Sequence, residues 1–127
     1  MANVLRLSAA TLLLGALIAP ATATAADDGA TFKAAWPIIE NSCVGCHGEK
    51  KQKGKLRLDS REAWLKGGGD GKIVEEGHPE KSNVMEAIKW EAKDEDKNMP
   101  PKKDKKLSAD QVKIIEAWIK AGLPWSK

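Results

Sequence analysis

Cys43-Val44-Gly45-Cys46-His47 is the stretch on which the reading of this chain turns. On a helix, positions i, i+3 and i+4 share one face, so two thiols and an imidazole project together. Two thiols at that spacing can add across the two vinyl groups of one porphyrin. The adjacent imidazole then falls beneath the metal as its proximal ligand. The pattern is that of a c-type haem attachment site, with Cys43 and Cys46 as the thioether positions and His47 on the iron. The chain has only these two cysteines, so no disulfide framework competes for them.

Working outward, Thr31 is placed to cap a helix over about 32–46. Phe32, Trp36, Ile39 and Cys43 recur at steps of four and three and make one core-facing stripe. Pro37 is awkward there, because proline suits a first turn and disrupts further in. The helix either begins near Trp36 or bends at the proline. Gly48 reads as a left-handed stop, and 49–55 as a polar, lysine-rich loop. Leu56 and Leu58 alternate in a short extended piece. Asp59 with Glu62 reads as a capping box for a short helix to Lys66. Gly67-Gly68-Gly69 ends it as a flexible turn. No GK[ST] follows, so phosphate cradling is not read there.

His78-Pro79 starts a further helix to about Trp90, with Val84, Met85 and Ile88 on its apolar face. Residues 91–97 alternate in charge and read as a solvated loop, followed by Asn98-Met99-Pro100-Pro101. Ser108 with Gln111 is another capping box, opening a last helix over 109–120 with Val112, Ile115, Trp118 and Ile119 inward. Gly122 and Pro124 close it. The expected fold class is all-α, a small helical fold with long structured loops wrapped around one covalent haem. A domain of about 100 residues is marginal on its own core, and a buried haem supplies core volume.

A haem that only carries electrons needs a second ligand opposite His47. Three residues compete. Met99 lies far enough along the chain to wrap round the haem, and the prolines behind it hold it extended and out of a helix. Met/His ligation raises the potential. Met85 sits among core positions and reads as filler. His78, before a proline at a helix start, reads as a cap or surface residue. Met99 is the choice.

Residues 1–26 have the form of a secretory signal: Arg6, then an apolar run from Leu7 to Ile18 too short to span a bilayer. Small-x-small patterns place cleavage near Ala25 or Ala26. The two expected segments are 1–26, the signal peptide, and 27–127, one haem domain. A periplasmic or otherwise exported location follows, with no stable membrane insertion after cleavage. Of 21 basic and 18 acidic side chains, only Arg6 lies in the signal, leaving 20 against 18. Positive charge is balanced by acids throughout, so nucleic-acid binding is not expected.

The chain resembles the planctomycete-type cytochrome c domain, a branch of the small class I cytochromes c. The resemblance rests on Pro37-Ile38-Ile39 leading to Cys43-Val44-Gly45-Cys46-His47-Gly48, on Leu56 to Ala63, on Gly77-His78-Pro79-Glu80-Lys81-Ser82, on Met99-Pro100-Pro101, and on Leu107-Ser108 through Gly122. It implies one haem c, with His47 proximal and Met99 distal to its iron. His78 departs from the family, which more often has Asp before that proline, and this keeps His78 open as a ligand.

The resulting expectation is a monohaem electron carrier, not an enzyme, with redox protein partners and no small-molecule substrate. The alternative is a haem-bearing subunit that docks on, or passes electrons into, a larger periplasmic oxidoreductase complex. Lys97, Lys102, Lys103, Lys105 and Lys106 flank Met99 and suggest docking of an acidic partner. Arg57 is a candidate partner for a haem propionate. Zinc bound by Cys43, Cys46, His47 and His78 is a rival, but adjacent Cys46 and His47 are poorly placed on one tetrahedral ion. A thiol–disulfide oxidoreductase would want a βαβ setting.

Overall fold

The computed structural model describes residues 28–126; the expected signal segment lies outside them. The described residues hold four α-helices and no strand; two isolated bridges, His47–Gln52 and Gly68–Gly71, are the only ladder-like pairings. The helical class expected from the sequence is therefore observed.

Helix α1 spans Asp28–Ile39. It begins ahead of Thr31, which lies inside it rather than capping it. Pro37 sits within the helix on its exposed side, where it removes one intrahelical donor. Three residues later the winding loosens into a π-helical turn, Glu40–Val44. The predicted helix over 32–46 is thus α-helical to Ile39, π-helical to Val44, and a tight turn at Gly45 and Cys46. Such wide turns are uncommon and cluster at functional sites.

Helix α2 spans Arg61–Lys66. Its cap is Ser60, whose Oγ accepts from the Ala63 N–H at 3.2 Å; the predicted cap, Asp59, is one residue too early. Asp59 instead accepts from Arg57 Nε at 3.0 Å and Nη2 at 2.6 Å. The predicted helix over 78–90 is divided. Pro79–Lys81 forms a 3-10 turn, and α3 spans only Asn83–Lys89. Buried Ser82 makes the break: its Oγ accepts from Glu75 N–H at 2.9 Å and donates to the His78 carbonyl at 2.8 Å.

Helix α4, Ala109–Lys120, matches its predicted bounds. Both capping-box bonds form: Gln111 N–H to Ser108 Oγ at 3.2 Å, and Ser108 N–H to Gln111 Oε1 at 3.0 Å. At its other end the Leu123 N–H reaches the Trp118 carbonyl at 3.1 Å and the Gly122 N–H reaches Ile119 at 2.9 Å. That is the Schellman arrangement, with Gly122 left-handed at φ 91°. Arg61 adds to it, donating to the carbonyls of Leu123 and Gly122 at 3.0 and 3.1 Å while pairing with Glu76.

Helices α1 and α4 pack on each other. Phe32, Ala35, Ile38 and Ile39 meet Val112, Ile115, Trp118 and Ile119 in one buried cluster. The aromatic residues concentrate there. Trp64 and Trp118 meet edge to face with centroids 5.0 Å apart, and Trp125 lies 4.8 Å from Phe32 and 5.4 Å from Trp36. Buried indoles need an acceptor; Trp64 Nε1 donates to Leu58 at 3.0 Å and Trp118 Nε1 to Pro124 at 2.8 Å.

The Gly67–Gly69 stretch is a packed turn, not the flexible one expected. A Cβ at Gly67, which has φ 76°, would stand 2.2 Å from the Gly71 carbonyl oxygen, and one at Gly68 would stand 2.8 Å from that of Gly54. The Gly69 N–H donates to the Gly54 carbonyl at 2.7 Å. Two stretches of backbone meet here at a distance that side chains would prevent.

Candidate haem site

The π-helical turn delivers Cys43, and a tight turn then orients the rest of the motif. The Cys43 carbonyl accepts both the Cys46 N–H at 3.1 Å and the His47 N–H at 2.9 Å. Onward, the Cys46 carbonyl accepts from Lys53 at 3.0 Å and the His47 carbonyl from Leu58 at 2.8 Å. The motif is held by main-chain bonds on every side.

Gly48 has a different role from the one read in the sequence. It is buried and is not left-handed. A Cβ there would lie 2.5 Å from the Val44 carbonyl oxygen and 3.0 Å from Val44 Cγ1. Gly48→Ala must therefore push main chain apart, at a cost of about 1–3 kcal/mol. Gly45 is right-handed at φ −59° with nothing within 4 Å of a Cβ, so Gly45→Ala leaves stability unchanged or slightly raised. Urea midpoints of the two haem-loaded variants check this contrast.

His47 Nδ1 lies 2.9 Å from the Lys53 carbonyl oxygen. A carbonyl can only accept, so the proton sits on Nδ1 and the Nε2 lone pair stays available. This is the outer-sphere arrangement that fixes ring orientation in metal-ligating histidines. Lys53 contributes through its backbone alone.

Cys43, Cys46, His47 and Met99 all line one cavity of about 720 Å³, within the roughly 300–1,000 Å³ range of ligand pockets. Its apolar wall comes from Ile38, Leu58, Val84, Ile88, Leu107 and Ile115, drawn from all parts of the fold. Trp64 forms part of it. Gly54 and Gly71 also face the cavity, and a Cβ at either would meet nothing within 4 Å. Burial pushes the Cys43 thiol up to about 11, so it is neutral near pH 7 and adds no charge to the apolar wall. The two cysteines are not joined in a disulfide.

The Met99 N–H donates to the Ala87 carbonyl at 3.0 Å, which also accepts from Trp90 at 3.1 Å. Buried Asn98 closes the preceding loop, its Oδ1 accepting from the Ala92 N–H at 3.1 Å. The Met99–Pro100 peptide is cis. The competing residues lie elsewhere. Met85 is 3% exposed in the core and is not part of the cavity lining. His78 is exposed, with Nδ1 3.0 Å from Glu80 Oε1, and also lies off the cavity. Arg57 is likewise absent from the cavity wall and is engaged by Asp59. His78, the fourth residue of the zinc reading, lies apart from the cavity that Cys43, Cys46 and His47 line, and the described residues offer no cluster of three or more His, Cys, Asp and Glu fit for a metal ion.

The rim is charged. Asp70 of the glycine turn pairs with Lys97, and both line the cavity; the Lys97 ammonium holds the Asp70 carboxyl below its ordinary range. Lys102, Lys103, Lys105 and Lys106 are exposed, and Lys106 Nζ sits 5.9 Å from the centre of the Trp90 ring.

A small helical domain with a Cys-x-x-Cys-His turn opening on an apolar cavity has the form of a haem-binding domain. A family model described as Planctomycete cytochrome C matches residues 43–103, the same family that the sequence resembles. No curated protein and no solved structure matches the chain. A cytochrome c domain implies haem c, and Cys43, Cys46 and His47 fit its attachment motif. The observed residues suit that group: two thiols, an imidazole with one free nitrogen, a thioether and an apolar wall around one space.

The glycine turn, the Lys53 carbonyl and the Ala87 carbonyl were not legible as site elements. A run of three glycines hints at close backbone approach, but its partner, Gly54, carries no mark in the sequence.

Proposed function

We propose that this chain is an exported carrier of single electrons, holding one haem c through Cys43 and Cys46 with His47 and Met99 as its axial ligands. The observation that carries this reading is the convergence of all four residues on one apolar cavity, with His47 Nδ1 already engaged by the Lys53 carbonyl. When bound, the haem supplies the one-electron iron couple.

The chain's own residues then have distinct tasks. Cys43 and Cys46 fix the porphyrin in place. His47, pinned at both its ring nitrogen and its backbone, resists movement between oxidation states. Met99, anchored by Ala87, offers a soft sulfur that favours the reduced state. Ile38, Leu58, Ile88 and Ile115 exclude water and so raise the cost of added positive charge. Export fits the expected signal at 1–26. Among the described residues no helix is long and apolar enough to cross a membrane.

The test is direct. The mature chain, made with a working haem-attachment apparatus, is expected to be red and to keep its colour through acid–acetone extraction. It should titrate reversibly as one electron per chain. A colourless product with two free thiols overturns the reading.

The lysines beside Met99 support a docking role toward an acidic redox partner. Exposed charges act over about 8–10 Å at moderate salt. Electron transfer to such a partner should therefore slow at least tenfold between roughly 10 mM and 500 mM salt. Stopped-flow rates that stay flat across that range remove the docking proposal and leave the carrier reading intact.

A further inference from the structure

We propose that Asp70 and Lys97 form a clasp on the rim of the cavity that restrains the loop carrying Met99, which makes Asp70 a positioning residue for the distal sulfur. This rests on the proposed ligation by Met99.

A short path of contacts joins the two ligands. His47 Nδ1 is held by the Lys53 carbonyl at 2.9 Å. The next residue, Gly54, accepts from the Gly69 N–H at 2.7 Å. Asp70 follows Gly69 and pairs with Lys97, 27 residues further along the chain. Met99 is two residues beyond.

The other bonds of the distal loop have a different reach. Ala92 to Asn98 closes the loop on itself, and Met99 to Ala87 ties it to the end of α3. Asp70–Lys97 ties it to the glycine turn, and through Gly54 and Lys53 to the histidine side. The turn is cross-bonded, the Gly68 and Gly71 N–H groups each donating to the other's carbonyl at 3.0 Å while Gly69 holds Gly54, so it serves as the anchor. The clasp itself is open to water, with side chains 82% exposed for Asp70 and 53% for Lys97. Its strength therefore depends on salt.

When the clasp opens, the loop moves away more often and the sulfur leaves with it. Free imidazole is the probe. At saturating imidazole, the rate of ligand exchange in the ferric, haem-loaded protein reads the departure of Met99. At low salt, Asp70→Asn and Lys97→Gln are each expected to raise that rate about two- to fivefold, the span open to an exposed ion pair. The double variant should rise no further than either single one. The exchanged pair, Asp70→Lys with Lys97→Asp, should return toward the parent rate. At about 1 M salt the parent should match the variants. The unfolding free energy of the single variants should fall by no more than that fold-change corresponds to, because the pair is lost from the open loop and the unfolded chain alike, and a larger fall would mark general loosening.

Unchanged rates in the single variants, additive effects in the double variant, or a loss of unfolding free energy well beyond the rate effect overturn the clasp. If the parent shows its far-red sulfur–iron band while the rates stay flat, only the clasp falls. If the parent lacks that band, Met99 ligation falls and the clasp with it.

Discussion

Replacing Met99 by alanine is expected to abolish the weak far-red sulfur–iron band of the ferric protein and to lower its reduction potential. The drop should be a few tenths of the roughly 0.8 V that axial ligation spans across haem proteins. A thioether stabilises ferrous over ferric iron, and the groups able to replace it, water or a nitrogen, do so less. Three observations favour Met99 for this effect. It lines the cavity, its N–H is anchored on Ala87, and its neighbour Asn98 is buried and bonded. Met85→Leu should leave band and potential in place, because Met85 is packed in the core away from the cavity. His78→Ala should do the same, since its ring faces Glu80 at the surface. Visible spectra of oxidised protein and a potentiometric titration check all three. A band that persists in Met99→Ala overturns the assignment.

Removing the haem should remove the native fold. A dry void of about 720 Å³ would cost about 17 kcal/mol at roughly 24 cal/mol per Å³, an upper figure because the cavity opens to water at its rim. Domains of this size are stable by only about 5–15 kcal/mol. The void alone can exhaust that margin. Cys43→Ser with Cys46→Ser, prepared without haem, should lose the near-ultraviolet dichroism of its tryptophans and show no cooperative thermal transition. Trp64 is a sensitive reporter, because it lines the cavity and also meets Trp118 edge to face. Part of the far-ultraviolet helical signal should survive, as in compact states that lose packing before secondary structure. Full near-ultraviolet dichroism with a sharp transition would mean that the protein closes its core without the haem.

Helix α4 was fully legible because its signals act within a turn or two: Ser108 and Gln111 bond each other's backbone, and Gly122 supplies the left-handed stop. Short-range signals misplaced the starts of α2 and α3. Ser60 rather than Asp59 caps α2, because Arg57 reaches Asp59 from two residues away. His78-Pro79 looked like a helix start, but Ser82 bonds backward to Glu75 and His78 and delays α3. Pro37 marks a break in helix bonding that the sequence shows, whereas the π-helical turn after it has no mark there.

By itself the sequence determined the helical class, a motif that fits haem attachment, and a short set of candidate ligands, Met99, Met85 and His78. Those rest on side-chain chemistry at fixed covalent spacing, which the order of residues records directly. Tertiary structure alone decided that Met99 reaches the cavity while Met85 and His78 do not. It also decided that the Lys53 carbonyl orients His47 and that Gly48 must have no side chain. These depend on main-chain groups meeting across the fold, and every residue carries the same main chain, so no letter of the sequence announces which carbonyl will be used.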